Sequence, residues 1–132
     1  MEKLVELSAL LYEPGEVMAG SAMSNDEAKA YVRERAYDKE YCIVRDWIWI
    51  DLDVTEEERS FLEKTRRQPI VIYAHSVIFD TARRWDVGDY VRTSFLYAFH
   101  EGYMFETMNS IYVLLGDGKR KRISLDTLGM LI

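Results

Sequence analysis

Asp51 and Asp53 stand two positions apart at the end of an apolar run, a spacing that on a β-strand puts both carboxylates on one face about 7 Å apart. Such a pair can grip a divalent cation, but no third carboxylate at a defined spacing and no phosphate loop accompanies it. The competing reading is a strand end leading into an acidic helix start, and no metal is expected. Arg83, Arg84 and Arg92, with the hydroxyls of Thr93 and Ser94, carry the groups of an anion site, because planar guanidinium groups hold phosphate or carboxylate through two hydrogen bonds. A small nucleotide-like anion is the ligand they would suit; the alternative is salt bridging to Asp80, Asp86 and Asp89 nearby.

Cys42, His75, His100 and Asp80 are the side-chain types of a thiol nucleophile with its base and orienting group. The apolar neighbours of Cys42 point instead to a small buried hydrophobe, and two histidines are too few for a zinc site. No catalytic residue is assigned, the balance leans away from an enzyme, and no cofactor is expected. Trp47 and Trp49 share a strand face with Asp51 and Asp53; exposed, the four would form a partner-binding surface, and covered, the tryptophans are core. Lys119, Arg120, Lys121 and Arg122 form the one basic run, which suits a nucleic-acid backbone or an acidic protein if it is solvated. Gly116-Asp117-Gly118-Lys119 lacks the spacing, hydroxyl and helix of a phosphate loop.

The elements that must position these groups are legible from periodicity. Leu4, Leu7, Leu10 and Leu11 recur at helical spacing before a stop at Pro14-Gly15. Gly15 to Met23 reads as a loop. Ser24 with Glu27, and Thr55 with Glu58, are capping-box spacings that open two further helices. The first of these places Ala28, Tyr31, Val32 and Ala36 on one face, and the second buries Phe61 and Leu62. Tyr41 to Asp53 and Ile70 to Phe79 read as strands, with Asp80 to Asp89 a polar connection. Tyr90 to Phe99, Tyr103 to Leu115 and Lys121 to Leu125 read as three more strands, joined by hairpin turns at Glu101-Gly102 and Gly116-Asp117-Gly118. The order predicts a single α+β domain: a mostly antiparallel sheet or partly open barrel with two to three helices on one face.

Composition narrows the partners. Of 132 residues 48% are hydrophobic, enough for one domain with its own core. The net charge of -6 is uneven: residues 1–58 hold 6 basic and 15 acidic side chains, and residues 59–132 hold 11 basic and 8 acidic. That sign argues against general nucleic-acid binding. No run approaches the length of a membrane helix, Met1 to Tyr12 does not read as a signal peptide, and the single Cys42 suits a reducing compartment, so a cytoplasmic protein is expected. Edge strands leave pairing into a homodimer open, and the apolar tail Leu128 to Ile132 is expected to dock on the core or on a second copy.

Gly88-Asp89-Tyr90-Val91-Arg92-Thr93-Ser94, followed by Phe105-Glu106-Thr107-Met108-Asn109-Ser110-Ile111-Tyr112-Val113-Leu114-Leu115-Gly116-Asp117-Gly118, resembles the C-terminal signature of a family of short, functionally uncharacterised bacterial and phage-borne proteins, over roughly Ile70 to Ser124. The resemblance implies a small bacterial or prophage domain and no catalytic residue. With the charge asymmetry, it makes a non-enzymatic binding protein the leading expectation: an inhibitor or accessory factor that meets a protein partner through an acidic surface.

Overall fold

The structure, a computed structural model, describes residues 2–35 and 39–129. Ala36 of the expected helical face and residues 130–132 of the apolar tail lie outside the described residues. The axis of the fold is β2 (Glu40–Asp53), whose β-branched and aromatic residues favour an extended chain. Along one edge it pairs antiparallel with β3 (Ile70–Asp80). Along the other it runs parallel first to β7 (Ser110–Leu114) and then to β8 (Asp117–Ser124). Glu40 stands opposite Ser110 and Ile48 opposite Lys119, so β7 and β8 form one line with one residue more than β2.

The hairpin expected at Gly116-Asp117-Gly118 is therefore a β-bulge. Gly116 takes φ +68°, open to it because it has no Cβ, and the chain continues in the same direction because β2 offers backbone partners on both sides of the bulge. Across from it, Asp46 in β2 has φ +53°. This second irregularity flips the alternation of side chains. Tyr41 and Ile43 before it share a face with Ile48, Ile50 and Leu52 after it, while Cys42, Val44, Trp47 and Trp49 share the other.

The remaining strands curl this sheet. From β4 (Val91–Arg92) on, the chain follows β3, with Thr93 N–H donating to Ile72 and Leu96 N–H to Ile70. At Tyr97, whose N–H donates to Glu106, it crosses to β6 (Met104–Glu106), against which β5 (Ala98–His100) pairs. The expected single strand Tyr90 to Phe99 is thus split between two neighbours. Tyr103 to Leu115 is split as well: Thr107 accepts from the amides of Asn109 (3.2 Å) and Ser110 (3.0 Å) and turns β6 back antiparallel to β7. The expected loop over Gly15 to Met23 contains β1 (Glu16–Ala19), antiparallel to β8. Parallel pairing at the centre and antiparallel pairing elsewhere give an α+β fold with a partly open, half-barrel sheet.

Inside the curl lies a core without helices, built from Cys42, Val44, Trp47, Trp49, Ile72, Phe105 and Leu114 among others. The helices cover the convex face. α1 (Glu2–Tyr12) and α4 (Leu125–Leu128) close over Ile48, Ile50, Leu52, Val71 and Ile123, and α2 (Asn25–Arg33) closes over Tyr41, Ile43, Ile111 and Val113. α3 (Glu56–Lys64) docks through Leu62. The capping boxes of α2 and α3 form as read, with Glu27 and Glu58 reaching back to the amides of Ser24 (3.0 Å) and Thr55 (2.9 Å). Phe61, expected in the core beside Leu62, is 62% exposed. No described helix is long and apolar enough to cross a membrane.

Candidate functional site

Two of the charged motifs meet on β8 and neutralise each other. Residues 119–122 alternate across that strand. Lys121 turns toward α1 and donates to the carbonyls of Leu10 (2.8 Å) and Glu13 and to that of Ala9 (2.6 Å), which the Glu13 amide also reaches (3.0 Å), so it caps the C-terminal end of the helix. Lys119 reaches the Glu13 carbonyl at 3.4 Å. Burial, with Lys119 adding to it, lowers the pKa of Lys121. Arg120 turns the other way and grips Asp51 at 2.7 and 3.1 Å, while Arg122 meets Asp53 at 2.8 Å. The basic run is thus a helix cap and two cross-strand ion pairs, not an open cationic patch. The aspartate pair is occupied by the same arginines, and no group of three or more metal-ligating side chains occurs among the described residues.

The arginines do not converge. Arg84 is moored by Asp80, which accepts from its amide (2.6 Å), Nε (3.1 Å) and Nη2 (2.8 Å), and it also donates to Ser110 and lies over Trp85. Arg92 pairs in register with Tyr73, seven residues from Asp80 along β3, or about 20 Å. Arg83 occupies the connecting turn at φ +55°. Thr93 is buried, accepting from Ile72 N–H (2.9 Å) and donating to the Ser94 carbonyl (2.8 Å), so its hydroxyl is spent on the backbone. Arg84 and Arg92, expected to clamp one anion, are thus spread along β3.

Trp47 and Trp49, 1% and 5% exposed, are core. Trp47 donates its indole N–H to Leu115 (3.1 Å), and Trp49 stands edge-on to Phe99 and Phe105. Cys42 is fully buried, and burial followed by the Asp80 carboxylate pushes its thiol up to about 12. No histidine serves it: His75 packs among rings on the convex side, and His100 bonds Glu106 at 2.7 Å.

One open feature is a cleft of about 530 Å³ on the convex face, near the bulges. Ile48 and Leu11 form its floor; Tyr12, Val17, His75, Asp46, Asp117 and Lys119 form its walls. Alternation along β3 turns Tyr73 and His75 outward together. Tyr12, at the end of α1, stacks on His75 (6.1 Å between centroids), His75 meets Tyr73 edge-on (5.0 Å), and Tyr73 stacks on Tyr90 (5.8 Å). Burial, then Tyr12 and Tyr90, raise the pKa of Tyr73. Tyr12 and Val17 are 73% and 70% exposed, large values for apolar side chains that adjoin. Asp46 and Asp117 have no side-chain hydrogen bond or ion pair among the described residues. Asp46 also holds a left-handed backbone, a conformation that costs a non-glycine residue about 1–2 kcal/mol and tends to persist where a side chain must be aimed.

An aromatic wall beside two unpaired carboxylates can bind a cationic group, which rings attract through their faces and carboxylates through charge. Of the two readings of Trp47 and Trp49 the covered one holds, and the exposed aromatic surface lies on the other side of the sheet. The alternation of Tyr73 and His75 was a readable signal; the arrival of Tyr12 from α1 was not, since it depends on tertiary packing.

A family model described as a domain of unknown function, DUF6957, matches residues 19–130, and the chain belongs to that family. No curated protein and no solved structure matches it. The matched span includes Asp46, His75, Asp117 and Lys119 and leaves out α1 and most of β1, with Tyr12 and Val17.

Proposed function

We propose that the chain is a non-enzymatic binding protein, an inhibitor or accessory factor in a bacterial or prophage system, that holds a protein partner through the cleft walled by Tyr12, His75, Asp46 and Asp117. The observation that carries this reading is the pairing of exposed aromatic and apolar surface with carboxylates that lack partners among the described residues. Adjoining apolar side chains as exposed as Tyr12 and Val17 mark contact surfaces on folded proteins, and aromatic residues beside charge are common anchors of protein interfaces. Two carboxylates face one ammonium, Lys119, which is engaged by the Glu13 carbonyl, so the cleft favours a basic partner.

The test is affinity capture from a bacterial lysate with the wild-type chain, with Tyr12→Ala and with the double variant Asp46→Asn/Asp117→Asn. The expected result is a stoichiometric protein retained by the wild type at moderate salt and lost by both variants. Capture of the same proteins in the same amounts by all three would overturn the reading.

A further inference from the structure

The free edge of β1 lies beside the same cleft. β1 ends the sheet: it pairs with β8 on one side, and no strand lies beyond it among the described residues. Gly20 N–H donates to Gly116 directly opposite (3.0 Å). Because inward and outward peptide groups alternate in an antiparallel pair, Glu16 and Met18 bond inward with Gly20, and Val17 and Ala19 turn their N–H and C=O groups to the open edge. Met18 packs into the interior, while the Val17 side chain lies on the convex face in line with Lys119 and Ile48.

We infer that β1 is a docking edge to which an extended segment of the partner, bearing Arg or Lys at alternate positions, adds as a further strand. The inference rests on the reading of the cleft as a partner site and specifies how the partner enters it. Main-chain bonds to Val17 and Ala19 would supply affinity, and alternate side chains would supply specificity. Side chains on one face of such a strand emerge beside Val17 at the rim of the cleft, where Asp117, opposite Ala19 on the neighbouring β8, is the carboxylate nearest to them. Charge selects this occupant over a second copy of the chain. A second copy brings the same net charge of -6, and chains of like charge repel. A cationic strand meets Asp46 and Asp117 with the opposite sign.

The probe is a capped hexapeptide of alternating arginine and valine. Amide exchange of the full chain, followed residue by residue by NMR, should show protection at Val17 and Ala19 rising at least about tenfold at saturation. N-methylation of the peptide's edge-facing amides, which leaves the protein untouched, should weaken binding about tenfold or more. Val17→Pro, which removes an outward donor at an edge position where proline is tolerated, should do the same with the spectrum otherwise preserved. Failure of the peptide to bind, or binding without added protection at β1, would overturn the inference. Loss of binding in Asp46→Asn/Asp117→Asn with no effect of N-methylation would reject strand addition and leave the cleft as a partner site. A lysate partner indifferent to every one of these changes would reject both, and concentration-dependent self-association through β1 would assign the edge to a second copy.

Discussion

Gly118 lies where β8 passes beneath the Trp47 indole, and Gly118→Ala probes how tightly the interior of the curl is built. A Cβ there would fall 2.6 Å from Trp47 Cε2 and closer still to Cδ2 and Cε3, so the ring must move. It has little room: Trp47 is 1% exposed, and its far edge lies 3.0 Å from the position a Cβ would take on Gly20. Overpacking of this kind costs about 1–3 kcal/mol. Shifting the indole also breaks its bond to the Leu115 carbonyl, and leaving that buried pair unmet adds about 1–3 kcal/mol. The sum, about 2–6 kcal/mol, is a large part of the stability of a domain this size. With about 2.1 cal/mol/K of unfolding entropy per residue over 132 residues, it lowers the melting midpoint by about 7–22 °C. Urea unfolding followed by tryptophan fluorescence, with calorimetry, measures both quantities. In a Trp47→Leu background the added methyl no longer meets a ring, and the same substitution should cost less than about 1 kcal/mol. A cost below about 0.5 kcal/mol in the wild type, or an equal cost in the two backgrounds, would refute the packing argument.

Asp80→Ala removes the acceptor that moors Arg84 and the turn after β3, and should cost about 2–3 kcal/mol, discounted for the partial exposure of Arg84. Faster proteolysis between residues 81 and 90 would accompany it, and a turn as resistant as the wild type's would contradict the assignment. Cys42, with its thiol pushed to about 12, should react with a disulfide reagent at pH 8 only at the rate of global unfolding; stoichiometric labelling within minutes would place it on an accessible surface. Burial works to raise the pKa of Glu106, but its bonds to Lys39 and His100 outweigh that and hold it below the ordinary 4.5. The folded state therefore binds the proton less readily, and the stabilisation is complete above about pH 4.5 and is lost as pH falls through the folded value. Lys39→Met should move the Glu106 carboxyl titration upward in carbon-13 NMR and destabilise the chain more at pH 7 than at pH 3; an unmoved titration would remove Lys39 from this role.

Local rules carried the elements whose partners are close in sequence. Ser24 with Glu27 and Thr55 with Glu58 encode their helix starts within four residues, and the Glu101-Gly102 turn, with φ values of +54° and +79°, closes β5 on β6 as read. The alternation of Ile48, Ile50 and Leu52 against Trp47 and Trp49 correctly separated two faces of β2. Which face lay inside was a tertiary matter, because it depends on the curl that brings Phe99 and Phe105 against Trp49.

Connectivity was misread where one local signal serves two geometries. Gly116-Asp117-Gly118 permits positive φ, which suits a hairpin or a bulge, and only the parallel bonds to β2 on both sides select the bulge. The charges followed the same logic. Asp51 and Asp53 are 67 or more residues from Arg120 and Arg122 in the chain, yet adjacent strands turn the aspartate pair and two members of the basic run into ion pairs. By itself the sequence determined the capped starts of α2 and α3 and an α+β architecture, since these depend on periodicity and near neighbours; Leu125, read as strand, instead opens α4 after Ser124. The candidate site was decided only by the tertiary structure: bulges in two distant strands divide the helical cover, and α1 carries Tyr12 to His75, 63 positions away in the chain. No short-range pattern can encode a contact whose two halves meet only after the sheet has curled.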